Sequence, residues 1–238
     1  MNIKSILITL LGIFAINSIS MAQIIRQDEL ENYALENYGD NWKEAATKIA
    51  SEHPLDANHA FTFTEVLQAP GMDADKIYDE LQVWFTSTFV DANSVIQSSE
   101  RERGLIIARG FIDGTGSSVG AFTSNRINVT PTIKIQIKDE KIRVTYSVPF
   151  YIEINKGSGI VGMALAPTTR ATYNTTAVKN VTLDQSFPYG KLRGMGKRAR
   201  KRAHSRALIM CNAYANVILD KLDKVIKEGF DGTANDNW

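Results

Sequence analysis

TIKIQIKDEKIRVTYSV (Thr132–Val148) is the cleanest pattern in the chain, and the fold turns on how it is read. Ile133, Ile135 and Ile137 alternate with Lys134, Gln136 and Lys138. After Asp139-Glu140, Ile142, Val144, Tyr146 and Val148 alternate with Lys141, Arg143, Thr145 and Ser147. Successive side chains of a strand point to opposite faces, so this period of two gives each strand one dry face and one wet one. Two such runs joined by Asp139-Glu140 predict an antiparallel hairpin. Its wet face carries Lys134, Lys138, Lys141 and Arg143, a mild basic patch that keeps the sheet soluble and guards it against edge pairing.

Upstream, Phe61 and Phe63 alternate with Thr62 and Thr64, and Ala69-Pro70-Gly71 ends that strand. Asp73 is placed to cap a following helix and Asp75 to suit the positive end of its dipole. Ile77, Leu81, Trp84, Phe85 and Phe89 recur on one helical face, which reads as core. Ser94–Ser99 and Leu105–Ile112 are β-rich runs joined by the charged turn Glu100-Arg101-Glu102-Arg103, a second hairpin.

Downstream lies GKRARKRAHSRA (Gly196–Ala207), in which Lys197, Arg198, Arg200, Lys201, Arg202 and Arg206 gather without an acidic residue. From Ala199 onward Ala203, Ala207, Met210, Cys211, Tyr214, Val217, Ile218, Leu222, Val225 and Ile226 keep helical spacing. A long amphipathic helix is therefore predicted from about Lys197 to Lys227. The basic run forms its solvated first turns, where the helix dipole is already positive and favours anions. Lys197, Arg198, Lys201, Arg202 and Arg206 are accordingly the candidate anion- or ligand-binding residues. The compensating charge is expected within the chain, from Asp28, Glu29, Glu31 or Glu36; the external alternative is a lipid phosphate or an acidic glycan.

Two glycine-rich stretches separate these elements. Asp113–Gly120 has glycines but not the spacing of a phosphate loop, and no helix follows it to aim a dipole at a phosphate, so it reads as a flexible loop between strands. Lys156–Tyr189 is long for a structureless connection. Ala171–Leu183, rich in Thr, Val and Tyr, has room for one or two short strands.

In order, the elements are strand, helix, four strands and a long helix: an α+β domain with an antiparallel sheet of about five strands in β-α-β-β-β-β-α order and the carboxy-terminal helix packed on one face. Here the chain resembles a known family, the exported bacterial domain of unknown function 4468 with a TATA-box-binding-protein-like (TBP-like) fold. The resemblance rests on FTFTEVLQAPGMDADKIYDELQVWF, VIQSSERERGLIIARGF and TIKIQIKDEKIRVTY and spans Phe61 to about Tyr146. It implies a fold and no catalytic residues. The TATA-binding protein resembles two fused copies of the unit, whereas this chain has one, without exposed phenylalanine wedges on its strands. Specific nucleic-acid binding is therefore not expected.

The amino terminus supplies an address. Lys4 precedes the apolar run Ile6–Ile16, and Ser20-Met21-Ala22 offers small residues for cleavage before Gln23. Residues 1–22 read as a signal peptide, 23–59 as a helical amino-terminal segment, 60–228 as the TBP-like domain and 229–238 as a flexible tail. Within the second segment, Leu30, Tyr33, Ala34 and Tyr38, then Trp42, Ala45, Ala46 and Ile49, mark two short helices. No later run is apolar and long enough to cross a bilayer, so export to the periplasm or beyond is expected, with peripheral contact to a membrane allowed.

With 27 basic and 26 acidic residues the chain is nearly neutral, but Gln27–Glu52 is acidic and Lys191–Arg206 basic, which makes it dipolar. The single cysteine, Cys211, sits among Leu208, Met210 and Tyr214 and reads as buried and inert. His53, His59 and His204 lack metal-ligand spacing, and no CxxC, HExxH or GxSxG occurs. No catalytic residue, metal or cofactor is expected. Two readings remain: a noncatalytic envelope module binding a protein, glycan or lipid partner, and a carrier of a small apolar ligand in a cavity between the sheet and the carboxy-terminal helix.

Overall fold

The computed structural model describes residues 27–89, 92–119, 123–161, 171–193 and 196–229. The expected signal segment, 1–22, and the tail beyond Gly229 lie outside the described residues.

The Thr132–Val148 stretch is the hairpin that its alternation predicts. Its two strands pair antiparallel from Thr132↔Ser147 to Lys138↔Lys141, with Ile135 opposite Val144 and Ile137 opposite Ile142. Their inward residues are at most 6% exposed, because a helix layer covers that face. The turn also docks the next element: the Asp139 carboxylate accepts from the Ala74 amide at 2.9 Å, and the Glu140 amide donates to the Met72 carbonyl at 2.9 Å.

In chain order the strands are β1 (Phe61–Gln68), β2 (Ile96–Glu100), β3 (Leu105–Arg109), β4 (Ile112–Val119), β5 (Thr123–Val129), β6 (Thr132–Lys138), β7 (Lys141–Val148), β8 (Phe150–Val161) and β9 (Ala171–Thr182). The helices are α1 (Gln27–Tyr38), α2 (Trp42–Glu52), α3 (Ala74–Thr88), the single turn α4 (Ala92–Val95) and α5 (Lys197–Glu228). Strands β1, β7, β6, β3 and β2 form a five-stranded antiparallel sheet in that spatial order. Asp73 caps α3 as expected, accepting from the Lys76 amide at 2.8 Å, and Ile77, Leu81, Trp84 and Phe85 are buried.

Sequence patterning does not anticipate the second sheet, of four antiparallel strands in the order β4-β5-β8-β9. The β4–β5 pair is inserted between β3 and β6, and β8–β9 between β7 and α5, so the β-α-β-β-β-β-α frame persists around two insertions. Asp113–Val119, expected as a flexible loop, is strand. Its glycines serve packing: a Cβ on Gly116 would collide with the Ala203 carbonyl of α5, so glycine is what lets β4 lie against that helix. The long connection Lys156–Tyr189 supplies the end of β8 and, within the Ala171–Leu183 run where one or two short strands are expected, the single 12-residue strand β9.

Helix α5 differs from a one-sided lid. From Ala207 to Ala215 every residue is buried, because both sheets cover one side while α1 and α2 pack on the other. Leu30, Ala34, Ala46 and Ile49 of the amino-terminal helices are at most 3% exposed within the same core. Cys211 is fully buried, and burial pushes its thiol well up from the ordinary value.

Candidate anion-binding site

Helix α5 starts without a helper. Gly196 precedes it in the left-handed region (φ 73°), offers no side-chain cap, and no acidic residue occupies the first turn. Opposite lies the junction of α1 and α2. Gly39 (φ 70°) reverses the chain there, and its amide donates to the Leu35 carbonyl at 2.9 Å, so Asp40–Lys43 is presented toward the basic turns. Between them opens a cleft of about 540 Å³ lined by Asp40, Asn41, Trp42, Lys43, Lys197, Arg198, Lys201 and Arg202.

The structure thus brings together four of the five expected residues. It adds two the basic run could not reveal: Lys43, a second cationic wall, and Trp42, an aromatic floor. Lys43 reads in sequence as an ordinary exposed helix residue, and Trp42 as part of an apolar stripe. Arg206 stands apart. Its guanidinium meets Glu31 at 2.6 Å and lies 5.7 Å from the Trp42 ring centre.

Among the described residues, Glu31 is the expected acid that forms an ion pair with this cluster. No described carboxylate forms an ion pair with Lys197, Arg198, Lys201 or Arg202, although the Lys201 ammonium lies 4.6 Å over the Phe187 ring. Intramolecular compensation, the expected source, is therefore confined to one pair. Five cations line the cleft, four of them from the first turns of the 32-residue helix α5, and Asp40 is the only carboxylate lining it among the described residues. A mobile anion there is favoured by charge.

A second polar cluster is buried nearby and is also invisible in sequence, since its members are far apart in the chain. His204 Nε2 lies 2.6 Å from Glu153 Oε1, and Glu153 Oε2 meets the Lys179 ammonium at 3.0 Å. The Phe187 amide donates to His204 Nδ1 at 3.2 Å. With Nδ1 accepting, the neutral imidazole carries its proton on Nε2 and donates it to the carboxylate. Both ring nitrogens are then engaged, so this pair ties α5 to β8, β9 and the segment after β9 and leaves no free nitrogen to act as a base. Among the described residues no group of His, Cys, Asp and Glu could hold a metal ion.

No curated protein matches the chain. Two solved structures are similar. A TBP-like protein from Parabacteroides distasonis is 10% identical over 78% of this chain and 99% of its own, with a TM-score of 0.42. A DUF4468 family protein from Bacteroides ovatus is 16% identical over 72% of this chain and 92% of its own, with a TM-score of 0.39. The family model matches residues 63–151, close to the span Phe61 to about Tyr146 that carries the resemblance in sequence. The model that matches residues 63–151 is that of a domain of unknown function (DUF4468) with TBP-like fold.

Proposed function

We propose that the protein is an exported, noncatalytic module of the bacterial cell envelope that binds an anionic group, a lipid phosphate or an acidic glycan, in the cleft between the α1–α2 junction and the start of α5. The observation that carries this reading is the imbalance in that cleft: Lys43, Lys197, Arg198, Lys201 and Arg202 against Asp40.

The carrier alternative has less support. The space between the five-stranded sheet and α5 holds Phe61, Ile133, Tyr146, Leu208, Met210, Tyr214 and Ile218, each at most 1% exposed, which is the pattern of a packed core. Nor does the open face of that sheet suit nucleic acid. Its hydroxyls are spent on one another, Thr62 with Ser147 at 2.8 Å and Thr64 with Thr145 at 3.0 Å, and no aromatic wedge rises between them.

The test is cosedimentation of the purified chain with phosphatidylglycerol vesicles and with neutral phosphatidylcholine vesicles, beside retention on immobilised heparin. Binding to an anionic matrix that falls with salt is expected, and the Lys197→Glu, Arg198→Glu, Lys201→Glu, Arg202→Glu variant should lose it. Vesicle binding without heparin binding assigns the lipid phosphate; the reverse assigns the glycan. Equal binding by the wild type and the charge-reversed variant would overturn the site. Export is checked by the intact mass of the protein recovered from the cell envelope, which should begin at Gln23.

A further inference from the structure

A β-sheet ends in two strands whose outer backbone groups lack a neighbour, and proteins ordinarily blunt such edges with short strands, charges, bulges or a covering element. Three of the four edges here are treated that way. Strand β2 spans five residues, ends in Glu100 and has an irregular register between Ile96 and Ser98. The register of β4 is broken between Ile112 and Gly116, and α5 packs along this strand. Strand β1 carries exposed Glu65, and at its start the Thr62 hydroxyl donates to Asp56 at 3.0 Å.

Among the described residues strand β9 shows none of these devices. It is 12 residues long, pairs with β8 in unbroken register from Val161↔Ala171 to Phe150↔Thr182, and contains no proline. Its one charged side chain, Lys179, is drawn back to Glu153 at 3.0 Å. Thr176, Ala177, Val178, Lys179 and Asn180 are all exposed, Val178 by 63%. Among the described residues no backbone group pairs with the outer edge of this strand.

We propose that this edge is a homodimer interface, in which β9 of two copies pair antiparallel about a twofold axis at Val178. An antiparallel pair of identical strands is self-complementary, as a twofold interface must be. The occupant is a second copy because the strand has no free charge to select an oppositely charged partner, while its neutrality lets it meet itself without repulsion. The register follows from the side chains. With Val178 opposite its symmetry mate, the most exposed apolar residue of the strand gains an apolar neighbour. Lys179 then lies opposite Ala177 of the second copy, and Thr176 opposite Asn180, so no like charges face each other. The two four-stranded sheets become one of eight. This interface does not depend on the anion cleft.

Sedimentation equilibrium of the purified chain over a range of concentrations tests it. The wild type should reach the mass of two copies, whereas Val178→Lys and Val178→Glu should each stay at the mass of one, because like charges would then sit opposite one another. An equimolar mixture of the two variants should recover the doubled mass. A far-UV circular dichroism spectrum like that of the wild type and a cooperative thermal melt show that each variant is folded, as expected for an exposed position. Val178→Cys gives an independent readout: oxidation should link two copies covalently, whereas Lys138→Cys on the other sheet should not link them. A wild type that remains single at every concentration, or charge variants that still pair, would overturn the interface. A mixture that stays single, or Val178→Cys that does not cross-link, would overturn the twofold register at Val178.

Discussion

Nε2 of His204 lies 2.6 Å from Oε1 of Glu153, and both side chains are 1% exposed. Burial pushes the Glu153 carboxyl up, but the hydrogen bonds donated by His204 and Lys179, with the charge of Lys179, outweigh it and hold the group down at about 2, against an ordinary 4.5. A depressed carboxyl stabilises the fold above its unfolded value and loses that contribution as the pH falls through its folded one. The pH window is therefore from about 4.5 down to about 2, and the contribution is on the order of 3 kcal/mol. Urea unfolding across this window should show a steeper loss of stability for the wild type than for Glu153→Gln. Parallel curves would mean that the carboxylate is not held in this way.

Ile135 and Val144 face each other across the β6–β7 pair at 0% and 1% exposure, while Lys134 and Arg143 sit on the opposite face. Ile135→Asp or Val144→Asp should unfold the domain, since a charge buried without a partner costs several kcal/mol. Lys134→Ala and Arg143→Ala should shift stability by about half a kcal/mol at most. Thermal melts of the four variants separate the two faces. Similar melting temperatures would refute the register.

The five-stranded sheet was legible because its strands have one dry face and one wet face, and the period of two survives in the sequence. The second sheet was not, because its residues break the code that makes strands visible. On β4, Gly114 and Gly116 stand where a strand would show large apolar residues, and Thr115, Asn125, Asn128 and Glu153 are buried polar groups that each hydrogen-bond to a partner elsewhere in the chain. Asn128, for example, accepts from the Gly114 amide at 2.9 Å. The candidate site was half legible for a related reason. The basic run is contiguous on α5, but Trp42 and Lys43 reach it only through the docking of α2, which one stretch of sequence does not reveal.

Gly116 carries the packing of β4 on α5. A Cβ at this position would meet the Ala203 carbonyl and carbon and, at 3.2 Å, the Ile127 side chain, and the first two are backbone that cannot rotate away. Gly116→Ala should therefore destabilise the protein by about 1–3 kcal/mol, as overpacking does, although alanine favours strand and helix alike over glycine. Gly71→Ala is the contrasting case: nothing lies within 4 Å but its φ is left-handed at 77°, so it reports backbone strain without overpacking, whereas Gly116 has the close contact without a left-handed φ. Chemical denaturation of both variants decides the point. A Gly116→Ala protein as stable as the wild type would show that the helix and strand can separate without cost.

Among the described residues, the pair between Arg206 and Glu31 is the one ion pair linking the basic helix to the acidic amino-terminal segment, with side chains 22% and 38% exposed. Deleting α1 and α2 would not isolate its contribution, because Leu30, Ala34, Ala46 and Ile49 would leave the core with them. A double-mutant cycle of Glu31→Ala and Arg206→Ala does isolate it. For a partly exposed pair the coupling should be about 0.5–1 kcal/mol and should shrink at high salt. Arg206→Ala alone should cost more than Glu31→Ala alone, because it also removes the guanidinium near the Trp42 ring at 5.7 Å. Lys197→Ala, Arg198→Ala and Arg202→Ala, whose side chains pair with no described acid, should leave stability unchanged or raise it slightly, since each relieves positive charge at the start of α5. If removing any of these three cost as much as removing Arg206, the division between one structural arginine and a set of cations left for a ligand would be wrong.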